Sequence, residues 1–312
     1  MQVLVHLGLN KCASTFIQTT LAHNRDRLAA HGVCYPGEPG RPAHYGLSRT
    51  YGFGPDAPTV QPVLLSRLVR DARAAGQDKL ILSSEYLSLY NPEGARRLTE
   101  DLERLDCDAR FVLFSRAMPG WIRSLFNQYI KTVETGRYLA SIDDFVDQVL
   151  ANRSIDVARR LGQWRAAAEA PGFALSHHRD AALGGRDAVL APFVCFAGIT
   201  LERPTRAEAN PSLGADALYR IGQLRRNAPG RARDRELAAL LAGGRPDGMA
   251  PAGYLTISPD REARLAREIV EPYLRLPGDT LPSPQELQEA RLRSGDGARA
   301  AARVSAAQSA AG

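Results

Sequence analysis

The stretch Met1-Gln-Val-Leu-Val-His-Leu-Gly-Leu-Asn-Lys-Cys-Ala-Ser-Thr-Phe-Ile-Gln-Thr-Thr20 changes its periodicity halfway along, and that change decides the fold. Val3, Leu4, Val5 and Leu7 make a short, nearly continuous apolar run, as a strand covered on both faces of a parallel sheet requires. After the turn Gly8-Leu9-Asn10-Lys11-Cys12-Ala13 a helical spacing takes over, with Ile17, Leu21 and Leu28 on one stripe and Ser14 and Thr15 at its start. A strand, a tight turn with one lysine and a helix opening on hydroxyl residues predict an anion cradle. Backbone N–H groups, the positive end of the helix dipole and an ammonium converge there.

The position of the lysine narrows the choice of anion. A triphosphate-binding loop reads G-x-x-x-x-G-K-[ST], with Lys directly before the hydroxyl residue. With Gly8 as its first glycine, Ala13, Ser14 and Thr15 fall on the last three positions, so the lysine of that pattern is missing. Lys11 stands inside the turn instead. Asn10-Lys11-Cys12-Ala13-Ser14-Thr15 resembles the 5′-phosphosulfate loop, roughly P-K-[ST]-G-T-[ST], of sulfotransferases that use 3′-phosphoadenosine 5′-phosphosulfate (PAPS). Cys12 departs from that pattern by replacing a hydroxyl residue. Ala13 replaces a glycine that lets the backbone come close to the ligand. Alanine is the smallest such replacement, and a tightened loop is expected.

A chain of 312 residues is long enough for one large α/β domain, and 44% hydrophobic with 24% charged residues is a globular composition. No apolar run approaches the roughly twenty residues of a membrane-spanning helix. The first strand begins at residue 2, leaving no room for a signal peptide ahead of it, so a cytoplasmic protein is expected. Cys12, Cys34, Cys107 and Cys195 have neither C-x-x-C nor Cys/His ligand spacing, so neither a disulfide framework nor a metal site is expected. Most of the four should be small core residues, except Cys12, which the loop should expose. The net charge of +6 suits a polyanionic cofactor or an acidic acceptor and is too diffuse to indicate nucleic acid.

Along the chain, the first helix is expected to stop at His31-Gly32, followed by a short extended piece, Val33 to Tyr35. A loop rich in Gly, Pro and aromatic residues, Glu38 to about Thr59, carries Arg41, His44, Tyr45 and Tyr51 and should overhang the site. Val60 to Ala75 reads as a helix, and Lys79 to Glu85 as a buried strand whose polar residues reach its carboxyl end, where ligands bind in open parallel sheets. Asn91 and Pro92 open another helix, and Phe111 to Arg116 is the next strand. This β-α-β-α-β rhythm predicts a three-layer parallel domain flanked by helices. Further helices are expected from Ser141, Ser154, Asp187, Asn210 and Ser258, with a strand at Phe173 to Ser176. Beyond Pro277 a disordered tail is expected, with one short helix near Glu286 to Arg293.

Arg116 ends a strand, and Ser124 follows eight residues later in a helix begun near Pro119. This is similar to the 3′-phosphate motif of PAPS sulfotransferases. A guanidinium at a strand's carboxyl edge grips a phosphate with two bonds, and a serine hydroxyl adds a donor. Gly184-Gly185, the Phe-x-Gly-Ile ending of the following helix and Asn-x-Ser-Leu look like the C-terminal half of bacterial sulfotransferase-like proteins. The resemblance spans roughly residues 2 to 275 and is specific at the two phosphate motifs. It implies a P-loop-type α/β domain over 1–275, with a cofactor-binding core over 1–135, a mostly helical remainder over 136–275, and a tail over 276–312.

By this resemblance PAPS is the sulfonate donor and no metal is required. Lys11 would stabilise the leaving oxygen, the backbone of Cys12, Ala13, Ser14 and Thr15 with the two hydroxyls would hold the 5′-phosphosulfate, and Arg116 and Ser124 the 3′-phosphate. Members of the family place the base either after the strand that here ends at Glu85 or in the loop after the first helix, where this chain offers His44. Glu85 is placed first, because a carboxylate at the sheet's carboxyl edge has few structural reasons to be there. The acceptor would be a small molecule or a glycan hydroxyl. The alternatives are a P-loop kinase or NTPase, against which the missing lysine counts, and a non-catalytic nucleotide-binding protein of the same fold. Trp121, Phe126 and Tyr129 are expected to pack on a helix face, and His177 and His178 to point to opposite faces of their strand.

Overall fold

The computed structural model describes residues 1–37, 42–53, 63–116, 118–132, 139, 141–179, 185–204, 213–226, 231–242, 249–252 and 254–274. They divide into two compact units. The first holds the described residues of 1–116 and 159–204, the second those of 118–158 and 213–274. Arg41, residues 54–62, Gly184, the Asn210-Pro211 cap and the expected tail lie outside the described residues.

In the first unit β1 (Gln2–Gly8), β2 (Val33–Cys34), β3 (Lys79–Ser83), β4 (Asp108–Ser115) and β5 (Phe173–Arg179) form one all-parallel sheet, in the order β2-β3-β1-β4-β5. The helices follow as α1 (Ser14–His23), α2 (Arg25–Ala29), α3 (Tyr45–Leu47) with a wider turn over Ser48–Gly52, α4 (Val63–Ala74) and α5 (Pro92–Arg104). Next come α6 (Met118–Thr132), α7 (Ile142–Ala151), α8 (Val157–Ala167) and α9 (Gly185–Ala197). The last are α10 (Ala215–Arg226), α11 (Arg231–Leu241) and α12 (Pro259–Leu265), which runs on through Ala266–Val270 to Glu271–Leu274. Among the described residues, no helix is long and apolar enough to cross a membrane.

The apolar run that opens the chain occupies the middle of the sheet, paired with β3 through His6 and Ser83 and with β4 through Val5 and Phe111. Both of its faces are covered. On one, Phe111 lies against Trp164 of α8, with ring centres 5.0 Å apart, and stacks on Phe173 of β5. On the other, three residues along β4 and so on the opposite side, Phe114 stacks on His178 and on Phe193 of α9, with His6 edge-on to Phe114 and Phe193. His177 accordingly points the other way, 2.8 Å from the Ser115 hydroxyl.

Three elements differ from expectation. The first helix is interrupted at Asn24, whose amide donates to Thr20 O and Glu202 O while its oxygen accepts from Glu202 N–H. A side chain tied to the distant segment after α9 overrides a helical spacing that would continue to Gly32. Gly32 still provides the left-handed stop, at φ 75°. The strand expected to reach Glu85 ends at Ser83, and Glu85–Ser88 turns as a 3₁₀-helix. β5 extends to Arg179 and becomes the sheet's fifth strand.

In the second unit α7 begins with a capping box, Asp144 N–H donating to Ser141 Oγ and Ser141 N–H to Asp144 Oδ2, both 3.1 Å. Phe126, Tyr129, Phe145 and Tyr254 form its aromatic centre. Asp147 accepts from both Arg261 and Arg264. Trp121 and Phe126 are buried, as helix-face packing requires.

Asn91 carries more than its helix. Its Oδ1 accepts from Gly94 N–H, its Nδ2 donates to Tyr51 O and Phe53 O, and its N–H donates to Gln163. Asn91→Ala removes a cap and leaves two carbonyls unpaired, so the first unit should lose about 3 kcal/mol of stability. Urea denaturation measures it, and a loss below about 0.5 kcal/mol would contradict this role.

Candidate functional site

The turn that follows β1 is held between the exits of its two neighbours. Ser84 N–H donates to His6 O at 3.0 Å, closing β3 onto β1, and Leu9 N–H donates to Phe114 O at 2.8 Å, closing the turn onto β4. Glu85 leaves on one side and Arg116 on the other. Gly8 permits the approach. At φ 104° it takes a backbone form that L-residues rarely adopt, and a Cβ there would stand 2.8 Å from Glu85 Cα.

Within the turn Lys11 and Ala13 are both left-handed, at φ 62° and 65°. Backbone of this kind forms anion-binding nests, and the N-terminus of α1 adds its dipole, with no acidic residue in the first turn to oppose it. Ala13 therefore occupies the conformation that a glycine would take most easily. Cys12, expected to be exposed, is buried at 4% exposure, while Cys195 is exposed. The turn closes on itself, Cys12 N–H donating to Leu9 O, and the small apolar side chain goes inward.

The Ser14 hydroxyl is buried and donates to Leu9 O at 3.0 Å. Its single proton is thus committed to holding the turn, and the residue keeps its backbone N–H for an anion. Thr15 is exposed. Lys11 is half-buried, and burial lowers its pKa against the opposing pull of the Glu85 charge, so these two groups share one electrostatic neighbourhood. The carboxylate also has a partner not expected from the sequence. Gln18 Nε2, one turn beyond Ser14 on α1, donates to Glu85 Oε2 at 2.7 Å. Its only sequence signal was the i+4 spacing from Ser14.

His44 is also at the exit of β3, but as a clip. Its N–H donates to Ser83 O at 2.8 Å, Ser83 N–H donates back to Nδ1 at 2.9 Å, and Nε2 lies 3.0 Å from Pro36 O. A carbonyl only accepts, so the ring proton sits on Nε2 and the Nδ1 lone pair is already taken. Burial pushes its pKa down to about 4. Neither nitrogen of this ring is left to accept a proton as a base. Beside Glu85, the rings of Tyr45, Phe53 and Tyr86 pack together, Phe53 stacked on Tyr86 at 5.6 Å.

Arg116 follows β4 at the end of the first unit's opening segment, and Ser124 lies on α6 in the second unit. Among the described residues no group of three His, Cys, Asp or Glu side chains is arranged to hold a metal ion. Neither family models nor curated proteins gave a match to this chain.

Two outcomes follow from this geometry. Ala13→Gly removes a left-handed strain of about 1–2 kcal/mol and adds unfolded-chain entropy of about 0.4–1 kcal/mol, so thermal unfolding should show a net gain of up to about 1.6 kcal/mol. A clear loss would contradict the strain. The second concerns His6 and His44, both fully buried and held neutral with pKa values lowered by burial to about 3 and about 4, against 6.5 when solvated. The unfolded chain binds more protons below pH 6.5, so their contribution is complete above that pH and is lost as pH falls towards 4. Each contributes up to about 1.4 kcal/mol per pH unit. Denaturation midpoints should fall steeply between pH 7 and pH 5, and a flat profile there would refute it.

Proposed function

We propose that the chain is a PAPS-dependent sulfotransferase of P-loop type that moves a sulfonate to an acceptor hydroxyl, a carbohydrate hydroxyl being the preferred class. The observation that carries this is the place of Lys11. It is the only lysine of a left-handed turn after the central strand, between Glu85 and Arg116. The strand order supports it. The chain moves from β1 to β2 on one side and through β4 to β5 on the other, so the turn stands where the order reverses, which is where open parallel sheets bind ligands.

The residues at the turn suit a phosphosulfate. Backbone N–H groups of residues 13 to 15 hold it, while the Cys12 N–H and the Ser14 hydroxyl stabilise the turn by donating to Leu9 O. Arg116 takes the 3′-phosphate through two parallel bonds. Glu85 accepts the proton of the acceptor hydroxyl as the acceptor oxygen bonds to sulfur. The bond from sulfur to the phosphate oxygen breaks, its electron pair stays on that oxygen, and Lys11 stabilises the charge. Glu85 is preferred to His44 as base, because the ring nitrogens of His44 are committed to Ser83 and Pro36. Tyr45, Phe53 and Tyr86 beside Glu85 offer apolar faces to an acceptor.

Calorimetric titration with 3′-phosphoadenosine 5′-phosphate in the absence of magnesium is the test. Binding should weaken about 10- to 100-fold in Arg116→Ala, the value of a charge-assisted pair. With PAPS and either a phenol or a glucosamine oligosaccharide as acceptor, Lys11→Ala should lower kcat about 100- to 1,000-fold. Preference for magnesium-ATP would favour the kinase or NTPase reading. Binding without turnover would favour a non-catalytic protein of the same fold.

A further inference from the structure

We propose that Gln18 is the positioning residue for Glu85, fixing the carboxylate in the orientation that receives the acceptor's proton. This rests on the assignment of Glu85 as the base. Gln18 is 3% exposed, and its amide spans 67 residues of sequence to reach Glu85 Oε2 at 2.7 Å. Burying an amide is unfavourable unless it is hydrogen-bonded, so the pair is a specific arrangement. The rest of Glu85 is held as firmly. Its backbone lies against Gly8, and its carbonyl accepts from the Ser88 hydroxyl at 2.7 Å. The residue is thus fixed at its base and at one carboxylate oxygen.

The chemical type of the partner matters. An arginine at this place would orient the carboxylate but also stabilise its charge and weaken it as a base. An amide orients it with a neutral donor, which stabilises the carboxylate charge less than a guanidinium would. Oε2 accepts from Gln18, which leaves Oε1 to take the proton of the acceptor hydroxyl. Gln18 itself neither gives nor takes a proton in the transfer. Its contribution is geometric, in keeping with the large rate losses that follow a misplacement of about 1 Å at a reacting group.

Two near-isosteric variants of the full chain separate this role from simple packing. Gln18→Met should bind 3′-phosphoadenosine 5′-phosphate within about threefold of wild type, keep the acceptor KM and lose about 10- to 100-fold in kcat. Gln18→Glu places two carboxylates side by side and should move the acid limb of the kcat profile to higher pH. PAP release from PAPS is followed with the phenol or the oligosaccharide, or with water as acceptor where neither reacts. Unchanged kcat in Gln18→Met, or an unmoved acid limb in Gln18→Glu, would overturn the proposal. A further measurement needs no cofactor. In wild type the side-chain amide resonance of Gln18 should shift with a carboxyl titration that disappears in Glu85→Gln, and a resonance that does not respond would overturn the proposal by itself. Failure of the wild type to bind 3′-phosphoadenosine 5′-phosphate, or full turnover by Glu85→Gln, would instead remove Glu85 as the base.

Discussion

The close approach of two backbones, Gly8 at the end of β1 and Glu85 just beyond β3, sets the geometry on which the site depends. Any side chain at position 8 would meet the Glu85 backbone. Because that approach is open, the turn after β1 drops between the exits of β3 and β4, and Leu9 bonds to Phe114 on one side while Ser84 bonds to His6 on the other. The left-handed residues Lys11 and Ala13 then bend the turn so that Cys12 goes inward and the lysine stands near Glu85. A chain of local constraints thus leads from one glycine to one pair of opposite charges.

The carboxyl edge of the sheet is unusually polar for a buried region. His6 meets the Ser83 hydroxyl, His44 is clipped to the Ser83 backbone, Ser48 bonds to Ser84, and Ser115 pairs with His177. Such groups cost free energy unless they find partners, and once paired they specify one arrangement better than an apolar edge would. His6 and His44 are kept neutral by burial, which makes this edge acid-sensitive. Glu85, only half-buried and held by a neutral amide, stands apart from them.

Much of the scaffold was legible in advance, for identifiable reasons. The apolar run of β1, the Asn91-Pro92 start of α5, the Ser141 cap of α7 and the glycine stop at 32 are local signals, set by periodicity and by backbone hydrogen bonding within a few residues. Expectations failed where a distant group intervened. Asn24 interrupts a helix because Glu202 holds its side chain, and Cys12 is buried because its turn folds back on itself. His44 read as a lone loop histidine because nothing in its neighbourhood announces the β3 backbone that takes its lone pair.

By itself, then, the sequence determined a strand, a turn with one lysine and a helix, and an arginine at the end of a later strand. These depend on residue order and on forces acting over a few residues. Only the tertiary structure decided that Gln18 holds Glu85, that the Ser14 hydroxyl serves the turn, and that His44 is a clip. Each of these is a hydrogen bond whose geometry exists only after the sheet has brought its strands side by side. A carboxylate gains its orientation, and a histidine loses its free lone pair, through neighbours that the order of residues does not name.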